Sequence, residues 1–187
     1  MIKCAPPLRI CVFCGSGKGN NPIYIKTAEN LASEMYKSHV ELVYGGGNIG
    51  LMGVLADRLL TLGGTVTGVI PKKLVEIEVA HTGLTNMHIV EGMHERKALM
   101  TKLSDGFIIM PGGIGTMDEF FEIFTWLQLG YHNKPICLLN SGGYYNKLLE
   151  FLNHSVTEGF LSRQQLNNVH IYENATDLIS AIIQIIN

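Results

Sequence analysis

The chain alternates between two hydrophobic rhythms. Short apolar runs rich in β-branched residues fall at 8–14, 41–44, 65–70, 87–90, 106–110, 135–139 and 169–172, each stopped at or near glycine, proline or asparagine. Such runs read as strands, and several are apolar at every position, as in strands covered on both faces. Between them, helical spacing appears at 22–38, 50–62, 94–103, 116–129, 143–158 and 175–186. This alternation predicts an α/β fold: a Rossmann-like, doubly wound parallel sheet of about seven strands with helices on both faces. No linker, repeat or low-complexity stretch breaks the order, so residues 1–187 are expected to form one domain.

Ligands of such sheets sit beyond the carboxyl ends of the strands. Glycines gather there three times: Gly15 and Gly17, then Gly45-Gly46-Gly47, then Gly112, Gly113 and Gly115. Three glycine-bearing strand ends in one sheet point to a shared crevice, because glycine lets backbone approach a ligand closely.

Composition narrows the class. Apolar residues make up 47% and charged residues 16%, with a formal net charge of −2. That is an enzyme-like α/β make-up, and no basic footprint for nucleic acid is present. No apolar stretch approaches the ~18 residues of a membrane span. Pro6, Pro7 and Arg9 break any signal-peptide core, so a cytoplasmic address is expected.

The chemistry concentrates at Pro111-Gly112-Gly113-Ile114-Gly115-Thr116, a glycine turn between a strand and a helix. Unpaired N–H groups and the positive end of the helix dipole make such a turn an anion site, and a phosphate is its expected occupant. Thr116 reads as the N-cap. Without a Walker lysine the turn is not a nucleoside triphosphatase loop. Gly45 to Gly50 fits the spacing GxGxxG, but the next strand ends Thr67-Gly68-Val69-Ile70-Pro71 with no acid to hold a ribose, which argues against NAD.

Glu119, three residues after Thr116, admits two readings. It completes a capping box with Thr116, or it faces the ligand, where a carboxylate can stabilise a sugar that becomes cationic on losing its base. Arg96 and Lys97 open a helix where their charges oppose its dipole, so a nearby anion would explain them better. Ser16 is expected to touch phosphate or hydroxyl. The helix at 116–129 carries Phe120, Phe121, Ile123, Phe124, Trp126, Leu127 and Leu129 nearly all round. It is therefore buried on every side, either within the subunit or, as favoured here, in a homodimer. Cys11 and Cys14 form a CxxC, yet in a strand positions three apart face opposite ways, so they and Cys4 and Cys137 read as structural. No histidine spacing indicates a metal.

Taken together, Cys14-Gly15-Ser16, the run 44–53, Met93-His94-Glu95-Arg96-Lys97, the run 111–119 and the run 125–130 resemble the Lonely Guy family of cytokinin riboside 5′-monophosphate phosphoribohydrolases. The resemblance spans residues 8–160. It implies hydrolysis of the N-glycosidic bond of a nucleoside 5′-monophosphate to free base and ribose 5-phosphate, without metal or cofactor, in a homodimer. By that likeness Arg96 and Glu119 are the catalytic pair, and Gly112, Gly113, Gly115 and Thr116 cradle the phosphate. Gly15, Ser16, Gly46, Glu78, Met93, Lys97, Pro111, Ile114, Met117 and Thr125 are implied as further substrate contacts. The family's frequent label of lysine decarboxylase lacks a basis, since that reaction needs pyridoxal phosphate on a Schiff-base lysine. The alternative is a nucleotide or cofactor carrier without turnover, as in the related molybdenum-cofactor carriers.

Overall fold

The structure, a computed structural model, describes residues 6–75 and 80–187. Seven strands are present: β1 (Arg9–Phe13), β2 (Glu41–Tyr44), β3 (Val66–Pro71), β4 (Asn86–Val90), β5 (Gly106–Ile109), β6 (Ile136–Leu139) and β7 (Val169–Tyr172). They alternate with α1 (Ile23–Lys37), α2 (Gly50–Thr61), α3 (Met93–Leu103), α4 (Ile114–Gln128), α5 (Asn146–Thr157), α6 (Arg163–Leu166) and α7 (Ala175–Ile186). All pairings are parallel in the order β4-β3-β2-β1-β5-β6-β7. The order reverses between β1 and β5, and a crevice opens at the carboxyl ends of strands at such a switch point.

Alternation along the strands sorts the core into two layers. Ile10, Val12, Leu42 and Ile108 pack under α1, α2 and α7. Cys11, Phe13, Val43, Phe107 and Ile109 pack under α3, α4 and α5. Cys11 and Cys14 accordingly fall in opposite layers. Cys11, Cys14 and Cys137 are buried free thiols, and burial pushes all three up, Cys137 to about 12. Cys4 lies outside the described residues.

The structure departs from the sequence expectation at three helices. α4 begins at Ile114, with Gly113 in extended backbone as its N-cap and no side chain closing the turn. Thr116 is therefore the third helical residue, and the Thr116–Glu119 capping box does not form. A capping box forms instead at Ser162 and Gln165, where each side chain bonds the other's backbone N–H at the head of the short, unforeseen α6. The helix expected from 143 begins at Asn146, because Gly142 and Gly143 take positive φ and hold a 3₁₀ turn before it. Of the two expectations for α4, complete cover within the subunit is not met: Phe120, Ile123 and Phe124 are buried, while Phe121 and the C-cap Leu129 are exposed.

Candidate active site

Three turns meet at the switch point and lace together. Gly15 N–H donates to Pro111 O (3.1 Å), and Leu51 N–H donates to Gly15 O (3.0 Å). The fit allows no side chains at the seams. A Cβ on Gly50, whose φ is +61°, would lie 2.2 Å from the Ser16 carbonyl carbon. One on Gly45 would lie 2.2 Å from Arg96 Nη2. The GxGxxG turn thus makes room for the turn after β1 and for an arginine.

Two adjoining hollows result, sharing Ser16 and Gly113. The first, about 290 Å³, runs between the turn at Gly15–Gly19 and Tyr24, Pro111, Gly112 and Tyr144. The second, about 200 Å³, lies over the N-terminus of α4, with Arg96, Met93, Thr116 and Glu119 in its wall.

Arg96 is 4% exposed, and its guanidinium plane is fixed by two carbonyls, with Nη2 donating to Gly45 O (2.8 Å) and Nε to Val69 O (3.1 Å). Glu119 is half-buried one helical turn beyond Thr116. Its charge raises the thiol pKa values of Cys14 and Cys11, in each case second to burial. The second hollow therefore carries Arg96 and Glu119 beside Cys14, a buried thiol held neutral by its raised pKa.

Gly113 and Gly115 are unlike the glycines at the seams. A Cβ at either would meet no atom within 4 Å, and neither has positive φ. Gly113 is the N-cap, a position that glycine suits, while Gly115 is the second residue of the helix, where glycine brings no helix-forming advantage over alanine. Protein packing therefore does not require glycine at Gly115, which borders the second hollow. Gly112 is different, since a Cβ there would come within 2.1 Å of Thr116 Oγ1, the hydroxyl tucked against the turn.

Gly15, Ser16, Met93, Arg96, Glu119 and the run 111–116 thus line the two adjoining hollows. Several other expected contacts do not line either hollow. Lys97 is buried, and its Nζ pairs with Asp118 (3.2 Å) and Glu122 (3.0 Å) on α4. Burial works against its ammonium, but these two acids outweigh that and leave its pKa raised. Gly46, with φ of +79°, packs against Ile70 and Met87 behind the site. Met117 packs into the core, and Thr125 is exposed farther down α4. Glu78 lies outside the described residues. The sequence reading missed Tyr144, whose hydroxyl donates to Gly112 O (2.6 Å). Its signal was a fourth glycine-bearing strand end, Gly142-Gly143-Tyr144-Tyr145, after β6.

Fold and crevice together define a Rossmann-type protein with an uncapped helix N-terminus beside a carboxylate and an arginine. The family model described as "Possible lysine decarboxylase" matches residues 52–182. A cytokinin riboside 5′-monophosphate phosphoribohydrolase from Rhodococcoides fascians is 46% identical over 177 residues, 94% of this chain and 89% of the relative. One from Arabidopsis thaliana is 45% identical, over 93% of this chain and 82% of the relative. The chain belongs to this phosphoribohydrolase family, the Lonely Guy family. In fold it is also similar to the molybdenum cofactor binding protein of Rippkaea orientalis, with a TM-score of 0.75 at 22% identity, covering 98% of this chain and all of that one.

The decarboxylase description finds no support in the crevice. Lys97 is ion-paired with Asp118, on the wall of the second hollow, and with Glu122, and Lys18 stands on the exposed lip of the first hollow. Pyridoxal phosphate needs a lysine available for a Schiff base, and neither an ion-paired nor a solvent-exposed lysine answers to that.

Proposed function

We propose that this crevice hydrolyses the N-glycosidic bond of a nucleoside 5′-monophosphate, AMP or a cytokinin riboside monophosphate, releasing free base and ribose 5-phosphate. The carrying observation is the pair of glycines, Gly113 and Gly115, left open at the N-terminus of α4 with Glu119 on the next turn. First-turn N–H groups and the helix dipole hold the 5′-phosphate. Glu119 lies ~7.5 Å along the axis from Ile114, so a sugar esterified at that phosphate runs alongside its carboxylate.

As the bond from C1′ to the base nitrogen lengthens, positive charge grows on the sugar, and the fixed carboxylate stabilises it. Water adds its oxygen to C1′, and the departing base nitrogen takes up a proton. Arg96, clamped by Gly45 and Val69, supplies a fixed positive group beside the departing base or the phosphate. Binding energy from the phosphate orients the reacting end of the molecule. Lys97 acts indirectly, neutralising Asp118 and Glu122 so that α3 and α4 stay docked.

The active form is a homodimer. Phe121 on α4 and Leu129 and Tyr131 just after it are exposed at 38%, 64% and 76%, apolar surface that a second copy would cover. Light scattering on the eluting protein would give twice the chain mass, and a monomer would refute this. A cytoplasmic location is proposed with it.

The test of function is incubation with AMP and with isopentenyl-AMP, followed by chromatography for free base. Base from one or both supports the assignment and ranks the substrates. Failure to release base from any nucleoside monophosphate, with the nucleotide still bound, would favour a carrier.

A further inference from the structure

The turn that offers its N–H groups to phosphate is held from behind through its carbonyls. Three successive carbonyls each accept from a dedicated donor: Met110 O from Tyr145 OH (2.6 Å), Pro111 O from Gly15 N–H (3.1 Å) and Gly112 O from Tyr144 OH (2.6 Å). The peptide unit is planar and trans, so fixing a C=O also fixes the N–H on its opposite side. Tyr144, by gripping Gly112 O, sets the direction of the Gly113 N–H at the N-cap of α4.

The tyrosines are themselves held. Asn140, 7% exposed, accepts from Tyr145 N–H through Oδ1 (2.7 Å) and donates through Nδ2 to Asn146 Oδ1 (2.8 Å). The Tyr144 ring packs edge-on against Tyr145 at 4.8 Å and Tyr24 at 5.6 Å. Tyr145 is buried, and burial pushes its phenol up, so it remains a donor. Tyr144, at 41% exposed, carries little of the core. A half-exposed phenol aimed at a backbone carbonyl of the ligand turn has a better use in setting that turn than in holding the fold.

We infer that Tyr144 is a positioning residue for phosphate recognition, acting through the Gly112–Gly113 peptide, with Tyr145 fixing the strand end behind it. This deepens the proposed hydrolase function and rests on it. Removing only the hydroxyl, in Tyr144→Phe, frees that peptide to rotate and should penalise ligands in proportion to their use of the phosphate.

The experiment is calorimetric binding of AMP, ribose 5-phosphate and adenosine to the wild-type protein and to Tyr144→Phe, with AMP turnover alongside. The variant should bind AMP and ribose 5-phosphate about five- to tenfold more weakly, the worth of one hydrogen bond. Its adenosine affinity should be unchanged, and KM for AMP should rise with kcat held. Equal losses for AMP and adenosine, or no loss for either phosphate ester, would overturn the inference while leaving the hydrolase intact. Wild-type protein that binds neither phosphate ester would instead bring down the functional assignment, and the inference with it.

Discussion

Two glycine turns flank the crevice, and apart from Gly112, which packs against Thr116 and Gly15, their glycines meet opposite surroundings. In the turn after β2, Gly45 and Gly50 are forced by neighbours 2.2 Å from a would-be Cβ, and Gly46 and Gly50 by positive φ. In the turn after β5, Gly113 and Gly115 face open space in conformations any residue can adopt. The first turn makes room for protein, and the second leaves open the space in which the proposed phosphate would sit. Glycine content alone does not separate them. What a side chain would strike does.

The largest expected effect falls on the open turn's chemical partner. Glu119→Gln should lower kcat by about 10²- to 10⁴-fold while leaving ribose 5-phosphate affinity within a few-fold. Stopped or quenched assays with parallel binding measurements check this, and parallel loss of binding would show that Glu119 serves the fold. Next comes Gly50→Ala in the forced turn. Positive φ and overlap with the Ser16 backbone should cost about 2–4 kcal/mol in denaturant unfolding. An unchanged midpoint would erase the contrast between the turns.

Gly115→Ala sharpens the comparison further, because stability and binding should move in opposite directions. The alanine should leave stability unchanged or raise it by up to about 1 kcal/mol, while weakening phosphate-ester binding about tenfold. A loss of stability would place Gly115 with the forced glycines. The smallest effect is chemical silence at Cys14. Burial first, then the Glu119 charge, hold its thiol pKa well above the ordinary range, so iodoacetamide at pH 8 should leave it unmodified in the folded protein and label it after denaturation. Rapid labelling of the native protein would contradict a neutral Cys14 thiol.

Much of this was legible in order along the chain. Continuous apolar runs specify strands and helical spacing specifies helices because each depends on neighbours a few residues away, and the strand bounds shift by only a residue or two. The turn at 111–116 was equally legible, since a strand, a glycine turn and a helix start are local. Errors arose where local pattern was ambiguous. Thr116-Met117-Asp118-Glu119 has capping-box spacing, yet Gly113 already starts the helix, while the box that does form, at Ser162–Gln165, begins a helix of only four residues.

The strand–glycine turn–helix unit at 106–128 and the order of strands and helices were therefore determined by the sequence itself. Tertiary structure alone decided the rest, because each deciding contact joins residues far apart in the chain. Arg96 reaches back to Gly45, Lys97 crosses to Asp118 and Glu122, and Tyr144 grips Gly112. No periodicity encodes such a meeting. It exists only once the parallel sheet has brought the carboxyl ends of β1, β2, β5 and β6 to one edge, where backbone carbonyls become partners for distant side chains.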